Sequence, residues 1–212
     1  MSVRVKICGL TRAKDAEMAV TFGADIIGVN FHPASPRYVS VERAREIRDA
    51  VAGRCLVAGV FVNATREYID ERLREAGLDL VQFHGDEDER ELAGWPVKVI
   101  RALRLKADSP RDLISSTLVS STLSGTKADY LLLDTFNPQL YGGTGEARPL
   151  DGLKGLDLTR VFISGGLHPG NVTEACTLRP YAVDVASGVE SAPGVKDPAK
   201  LRSFIANAKS SG

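Results

Sequence analysis

Only three cysteines occur in the 212 residues, at positions 8, 55 and 176, and no two of them form a CxxC pair. That spacing excludes a disulfide framework and a zinc knuckle, and it suits the reducing cytoplasm. Histidine is just as sparse. His32, His84 and His168 show no HxxxH spacing and have no cysteine cluster beside them, so no metal site is expected. Long apolar runs are missing too: nothing approaches the roughly 20 residues of a membrane span. The N-terminus lacks the apolar stretch of a secretory signal. No Walker-type or dinucleotide glycine motif appears, which argues against a nucleotide cofactor, and no cofactor is expected. Charge of one sign is also absent, with 27 Lys+Arg against 27 Asp+Glu. No global field therefore draws the chain to nucleic acid or to an anionic membrane. An anionic small molecule must be held by local donors instead.

What the chain does have is a regular exchange between short apolar runs and helical periods. The opening run alternates Val3, Val5 and Ile7, the period of a strand, and passes straight into Cys8-Gly9. Thr11 is a candidate cap for the helix over 14–22. Residues 24–31 read as a second strand, and Ser40 caps a helix whose face is Val41, Ala44, Ile47 and Val51. A third strand over 56–62 precedes a helix capped by Thr65, with Tyr68, Ile69, Leu73 and Ala76 on one side. Strand four, 80–85, leads into an acidic helix start at Asp86–Glu89, placed to suit the positive end of a helix dipole. Strand five covers 97–103, and a Ser/Thr-rich segment over 109–125 reads as a helix. Tyr130 to Asp134 is strand six, followed by a long loop through Gly142-Gly143-Thr144-Gly145. Val161 to Ser164 is strand seven, and Pro169 stands where a helix can begin without its N–H. Residues 181–186 make strand eight, and Asp197-Pro198 starts the last helix.

Eight strands alternate with seven or eight helical segments, and no change of composition marks a linker. Strands two, four and six are apolar on both faces, as parallel strands covered by helices must be. The expected fold is therefore α/β: a (β/α)8 TIM barrel, one domain over residues 1–212. A doubly wound open sheet is the alternative, but it rarely uses eight strands in so short a chain.

Taken alone, Cys8 reads as a small buried thiol. The barrel moves it to the carboxyl-end rim, where such folds put their chemistry. The same rim collects Arg37, Gln82 and His84, Arg101, Asp134, Gly165-Gly166 and Ser187-Gly188. The glycine pairs after strands seven and eight suit a phosphate bound through backbone N–H groups, with Ser187 adding a hydroxyl. Cys8 and Asp134 could act as general base and general acid on a sugar phosphate. A free thiol and a free carboxyl titrate near about 8.5 and about 3.9, so both need shifting toward neutrality. Lys6, two residues before Cys8 and on the same face, is the first place to look for the group that shifts the thiol. Arg37 could receive a carboxylate in bidentate fashion. His84 could orient a substrate group, or simply hydrogen-bond in the barrel mouth.

Several segments in order resemble signature stretches of the phosphoribosylanthranilate isomerase family. They are Lys6 to Thr11, Ser35 to Ser40, Val60 to Asn63, Gln82 to Gly85, Leu132 to Asp134, Gly142 to Gly145, Ser164 to Leu167, Val183 to Glu190 and Pro193 to Asp197. The resemblance spans nearly the whole chain and implies the same barrel. It implies an Amadori rearrangement of N-(5-phosphoribosyl)anthranilate to the 1-deoxyribulose 5-phosphate isomer, a step of tryptophan biosynthesis. By that resemblance Asp134 is the acid that opens the ribose ring and Cys8 the base that takes the C2 proton. Arg37 is similar to the family's anchor for the anthranilate carboxylate, and Gly166, Ser187 and Gly188 to its phosphate site. Gln82, His84 and Gly165 complete the expected binding residues. The expected partner is thus the phosphorylated sugar–anthranilate substrate, bound by a monomer or homodimer, with no nucleic acid and no membrane. A related isomerase of histidine biosynthesis is the alternative, but such enzymes carry Asp where Cys8 stands. A non-catalytic phosphate-binding barrel would bind without turnover.

Overall fold

A computed structural model describes residues 2–51, 53–104, 116–134 and 149–211. Eight parallel strands close into one barrel in sequence order: β1 (Arg4–Ile7), β2 (Ile26–Asn30), β3 (Leu56–Phe61), β4 (Leu80–Phe83), β5 (Lys98–Arg104), β6 (Tyr130–Asp134), β7 (Val161–Ser164) and β8 (Ala182–Val185). The expected barrel is therefore present, and β1 closes it by pairing with both β2 and β8. Strand alternation sorts the residues into two cores. The inner one, inside the barrel, holds Ile26, Ala58, Leu80, Ile100, Leu132, Phe162 and Ala182. The outer one packs Val5, Ile7, Val29, Val57, Val81 and Val183 beneath the helices. Each fully buried Val, Leu or Ile contributes about 1.5–3 kcal/mol by leaving water.

The helices follow their apolar stripes. α1 (Ala13–Thr21) buries Ala16 and Ala19, α2 (Val41–Val51) buries Ala44, Ile47 and Val51, and α3 (Arg66–Ala76) buries Ile69, Leu73 and Ala76. Thr65 caps α3 through the N–H of Tyr68, and Gly77 ends it in the left-handed region that favours glycine. α4 (Ser116–Gly125) confirms the later part of the helix expected over 109–125; residues 109–115 lie outside the described set, as does the long loop 135–148. α5 spans Val172–Thr177 and α6 spans Pro198–Lys209, the latter capped by Asp197 through the N–H of Lys200.

Four local expectations are corrected. Thr11 does not cap α1; its hydroxyl donates to Gly194 O at 2.6 Å, and Arg12 precedes the helix with no side-chain cap. No helix follows β4. The acidic residues there serve loop N–H groups instead: Glu87 accepts from Asn63 and Gly85, and Asp88 from Arg90. Pro169 does not begin a helix, because Asn171 turns the chain first by accepting from the N–H of His168. The described residues accordingly contain six α-helices rather than seven or eight. After β8 the chain forms an unexpected hairpin, β9 (Glu190–Ala192) with β10 (Val195–Lys196), which Thr11 ties to the end of β1.

A recurring device closes the amino-end rim. Asp25, Asp79 and Asp129 stand one residue before β2, β4 and β6. Each accepts the backbone N–H of the preceding odd strand, from Val5, Val57 and Val99 at 2.7 to 2.9 Å.

Candidate active site

Inward alternation on β1 puts Arg4, Lys6 and Cys8 on one line, with Cys8 just past the strand and its N–H bonded to Val185 O at 2.8 Å. The thiol needs room that a neighbour must give up. Gly28 on β2 supplies it, since a Cβ there would stand 2.9 Å from Cys8 Sγ. Gly9 then turns the chain at φ +71, and the Arg37 side chain lies across it where a Cβ would collide.

Below Cys8 sits a fully buried Lys6, its Nζ 2.7 Å from Asp184 Oδ1 on β8. Asp184 Oδ2 accepts from Ser164 Oγ at 3.0 Å. Burial alone would pull Lys6 down, but Asp184 and the adjoining Cys8 more than offset it and the ammonium is held above its usual range. Cys8 moves the other way from the expectation. Burial pushes the thiol up; Lys6 and Lys196 draw it down, and Asp184 pushes it up again. Lys6 is thus the neighbour it was expected to be, but the surroundings favour the protonated thiol.

Across the bowl, His84 Nε2 lies 3.6 Å from Asp134 Oδ2. Gln82, buried on β4, meets His84 Nδ1 at 2.9 Å; with the amide nitrogen donating, the ring proton sits on Nε2, facing Asp134. A cavity of about 150 Å³ opens beside Asp134 at the ends of β6, β7 and β8. Its walls include Gly165, Gly166, Ser187 and Gly188, the phosphate-type residues expected there, together with Ser164 and Asp184. Gly165 and Gly166 are both left-handed, and a Cβ at Gly188 would lie 1.9 Å from Leu167 O. Only glycine allows that approach.

Arg37 is not idle in the loop. Its Nε and Nη2 form a two-pronged bond to Glu190 at 2.8 and 2.6 Å. Arg101 does not face the bowl: alternation turns it outward, where Glu89 pairs with it. No group of three or more His, Cys, Asp or Glu suited to a metal occurs among the described residues. Sequence reasoning missed Gly28, Ser164, Asp184, Glu190 and Lys196. Asp184 was open to discovery, since it registers with Lys6 across β1 and β8. The others depend on side-chain approaches between distant segments.

The sequence model of the family N-(5'phosphoribosyl)anthranilate (PRA) isomerase matches residues 5–207. The chain belongs to the phosphoribosylanthranilate isomerase family. Similarity to individual members is spread over the full length. The Pseudomonas fluorescens N-(5'-phosphoribosyl)anthranilate isomerase is 44% identical over 206 residues, covering 96% of this chain and 97% of its own. The crystal structure of the Thermus thermophilus enzyme superposes with a TM-score of 0.80 at 38% identity, covering 98% and 99%. A second structure, of a phosphoribosyl anthranilate isomerase in complex with reduced 1-(o-carboxyphenylamino)-1-deoxyribulose 5-phosphate, gives 0.79 at 37% identity over 98% and 99%. The chain is thus an isomerase of a sugar phosphate joined to anthranilate, and it works in tryptophan biosynthesis.

Proposed function

We propose that Cys8 and Asp134 carry the isomerisation of N-(5-phosphoribosyl)anthranilate as base and acid on opposite sides of the bowl. Asp134 gives its proton to the ribose ring oxygen; the C1–O bond breaks as the anthranilate nitrogen's lone pair forms the C1=N bond. The Cys8 thiolate then takes the C2 proton, and the electrons of that C–H bond form C1=C2 while those of C1=N return to nitrogen. The resulting enolamine loses a proton from O2 and gains one at C1, leaving the ketone. Carboxyl and thiol together hold one proton at the start and one at the end; burial of Cys8 favours keeping it on the thiol, and the reactive form has it on Asp134. Burial of Cys8 raises its proton affinity, so the thiolate is a stronger base at the moment it acts, and Lys6 and Lys196 face it as fixed cations.

Phosphate is held by the backbone of Gly165, Gly166 and Gly188 with Ser187, and the anthranilate carboxylate by Arg37. Gln82 and His84 keep Asp134 oriented from the β4 side. The observation that carries this reading is the single bowl in which the cavity of Asp134 and the two glycine ends adjoins the Cys8–Lys6–Asp184 line. Its test is the change in anthranilate fluorescence as substrate is consumed. Cys8→Ser and Asp134→Asn should each lower kcat by about 10³-fold or more while substrate binding is largely kept. Full activity in either variant refutes the assigned role.

We likewise propose one domain over residues 1–212, acting in the cytoplasm as a monomer or homodimer on this small molecule alone. The even balance of charge supports the absence of a nucleic-acid partner. No helix among the described residues is long and apolar enough to cross a membrane.

A further inference from the structure

The reaction described so far uses the β9–β10 hairpin only through the charge of Lys196, yet the hairpin brings two buried charged side chains, Glu190 and Lys196, to the rim beside Cys8. Glu190, only 8% exposed, accepts through Oε1 from Arg37 Nε at 2.8 Å, from Lys196 Nζ at 2.9 Å and from the N–H of Gly194 at 3.3 Å. Its Oε2 takes Arg37 Nη2 at 2.6 Å. Lys196, 2% exposed, spends its other two donors on Cys8 O at 2.6 Å and Ala186 O at 3.0 Å. One ammonium therefore pins the ends of β1 and β8, and one carboxylate is shared between two cations.

Two consequences follow from geometry and charge. Glu190 occupies the Nε/Nη2 edge of the guanidinium, so the planar group has one orientation, and among the described residues Nη1 has no hydrogen-bond partner. The aliphatic part of Arg37 is fixed from the other side by lying over Gly9. With the Cys8 thiol beside them protonated, the form its burial favours, Arg37, Glu190 and Lys196 together also carry a net charge of +1 (two cations, one anion). A lone Arg–Glu pair would be neutral and would give an incoming carboxylate little reason to bind; the second cation takes up part of the Glu190 charge. Glu190 and Lys196 are buried and Arg37 is half-buried, and holding a surplus charge away from water is costly, so a cluster one anion short is poised to receive one.

We infer that Glu190 and Lys196 are positioning residues for the substrate's carboxylate: Glu190 aims the free edge of Arg37 into the bowl, and Lys196 keeps the cluster cationic. The inference rests on the reading of Arg37 as the carboxylate anchor. It makes the hairpin a specificity element that favours N-phosphoribosyl arylamines bearing an acidic group over those without one.

The test is steady-state kinetics on the full chain with two competitive probes. One is reduced 1-(o-carboxyphenylamino)-1-deoxyribulose 5-phosphate, which carries the carboxylate, and the other is ribose 5-phosphate, which does not. Glu190→Gln should raise KM and the inhibition constant of the carboxylate probe by about tenfold or more, with kcat within about threefold and the ribose 5-phosphate constant unchanged. Simple electrostatics gives the opposite sign, because Glu190→Gln takes the cluster from +1 to +2; tighter binding of the carboxylate probe therefore overturns the inference. Lys196→Met should weaken the carboxylate probe selectively as well. If Glu190→Gln does not fold, Glu190→Asp keeps the charge but withdraws it by one methylene. A selective loss of the carboxylate probe then supports the inference, and an equal shift of both probes overturns it. Arg37→Met separates the two levels. If it leaves both probes unchanged, the anchor reading falls and this inference with it. If it weakens the carboxylate probe while Glu190→Gln does not, only the role of Glu190 falls.

Discussion

Gly28→Ala places one methyl group against the catalytic thiol and leaves every other site residue untouched. The new Cβ would lie 2.9 Å from Cys8 Sγ, 3.2 Å from its Cα and 3.4 Å from its Cβ. Carbon atoms at optimal separation stand about 3.5–4.0 Å apart, so Sγ must retreat by about 1 Å. A misplacement of that size at a reacting group costs about 10²-fold in rate, and kcat should fall accordingly. Phosphate loops lie elsewhere on the rim, and Arg37 is held by Glu190 and not by Gly28, so KM should change little. Overpacking costs about 1–3 kcal/mol, offset by the about 0.4–1 kcal/mol gained when glycine's freedom is removed from the unfolded chain. Net destabilisation should therefore be about 0–2.5 kcal/mol, readable in urea unfolding. In a Cys8→Ala background the Sγ contact no longer exists and the same methyl group should cost about 1 kcal/mol less. Fluorescence kinetics and the two-background unfolding cycle check this together. A folded Gly28→Ala enzyme with native kcat, or the same stability cost in both backgrounds, refutes the account of how Cys8 is seated.

Gly188→Ala should be worse tolerated, because its Cβ meets the Leu167 carbonyl at 1.9 Å and backbone must move. The expected result is a rise of about tenfold or more in the ribose 5-phosphate inhibition constant, with unfolding shifted by about 1–3 kcal/mol; an unchanged constant would remove Gly188 from the phosphate site. Lys6→Met should leave Asp184 as a buried, uncompensated anion and cost about 3–5 kcal/mol. It should also slow thiolate-dependent alkylation of Cys8, and a thiol that reacts as fast as in the native chain would dissociate Lys6 from it. Alkaline pH should weaken the fold. Burial pushes Cys55 and Cys176 up to about 11 from 9.0, so the unfolded chain gives up these protons first as pH rises. The native chain then binds more protons than the unfolded one, and stability present below pH 9 is lost between about 9 and 11 at about 1.4 kcal/mol per unit per thiol at most. A Cys55→Ala, Cys176→Ala double variant should flatten that slope in urea titrations; an unaltered slope would exclude the two thiols as its source.

Local pattern sufficed for most of the scaffold. The period-two runs and the stripes such as Ala44-Ile47-Val51 depend only on each segment's own geometry, and eight apolar runs separated by helical segments leave few closed arrangements besides a barrel. The same alternation puts Cys8, Asp134 and the two glycine ends on one rim. Legibility failed where a side chain had two possible employers. Thr11 and Glu87 read as helix-terminus residues because their types favour helix starts, but a loop N–H or a distant carbonyl was the nearer partner.

The sequence by itself determined the architecture and most of the rim residues, Arg101 excepted, because both follow from short-range periodicity. Only the tertiary structure decided how those residues are charged and aimed. The burial that raises Cys8, the room that Gly28 leaves for its thiol, and the Lys196 ammonium shared by Cys8, Ala186 and Glu190 all join segments up to 188 residues apart. Packing sets such contacts, and no local pattern encodes them.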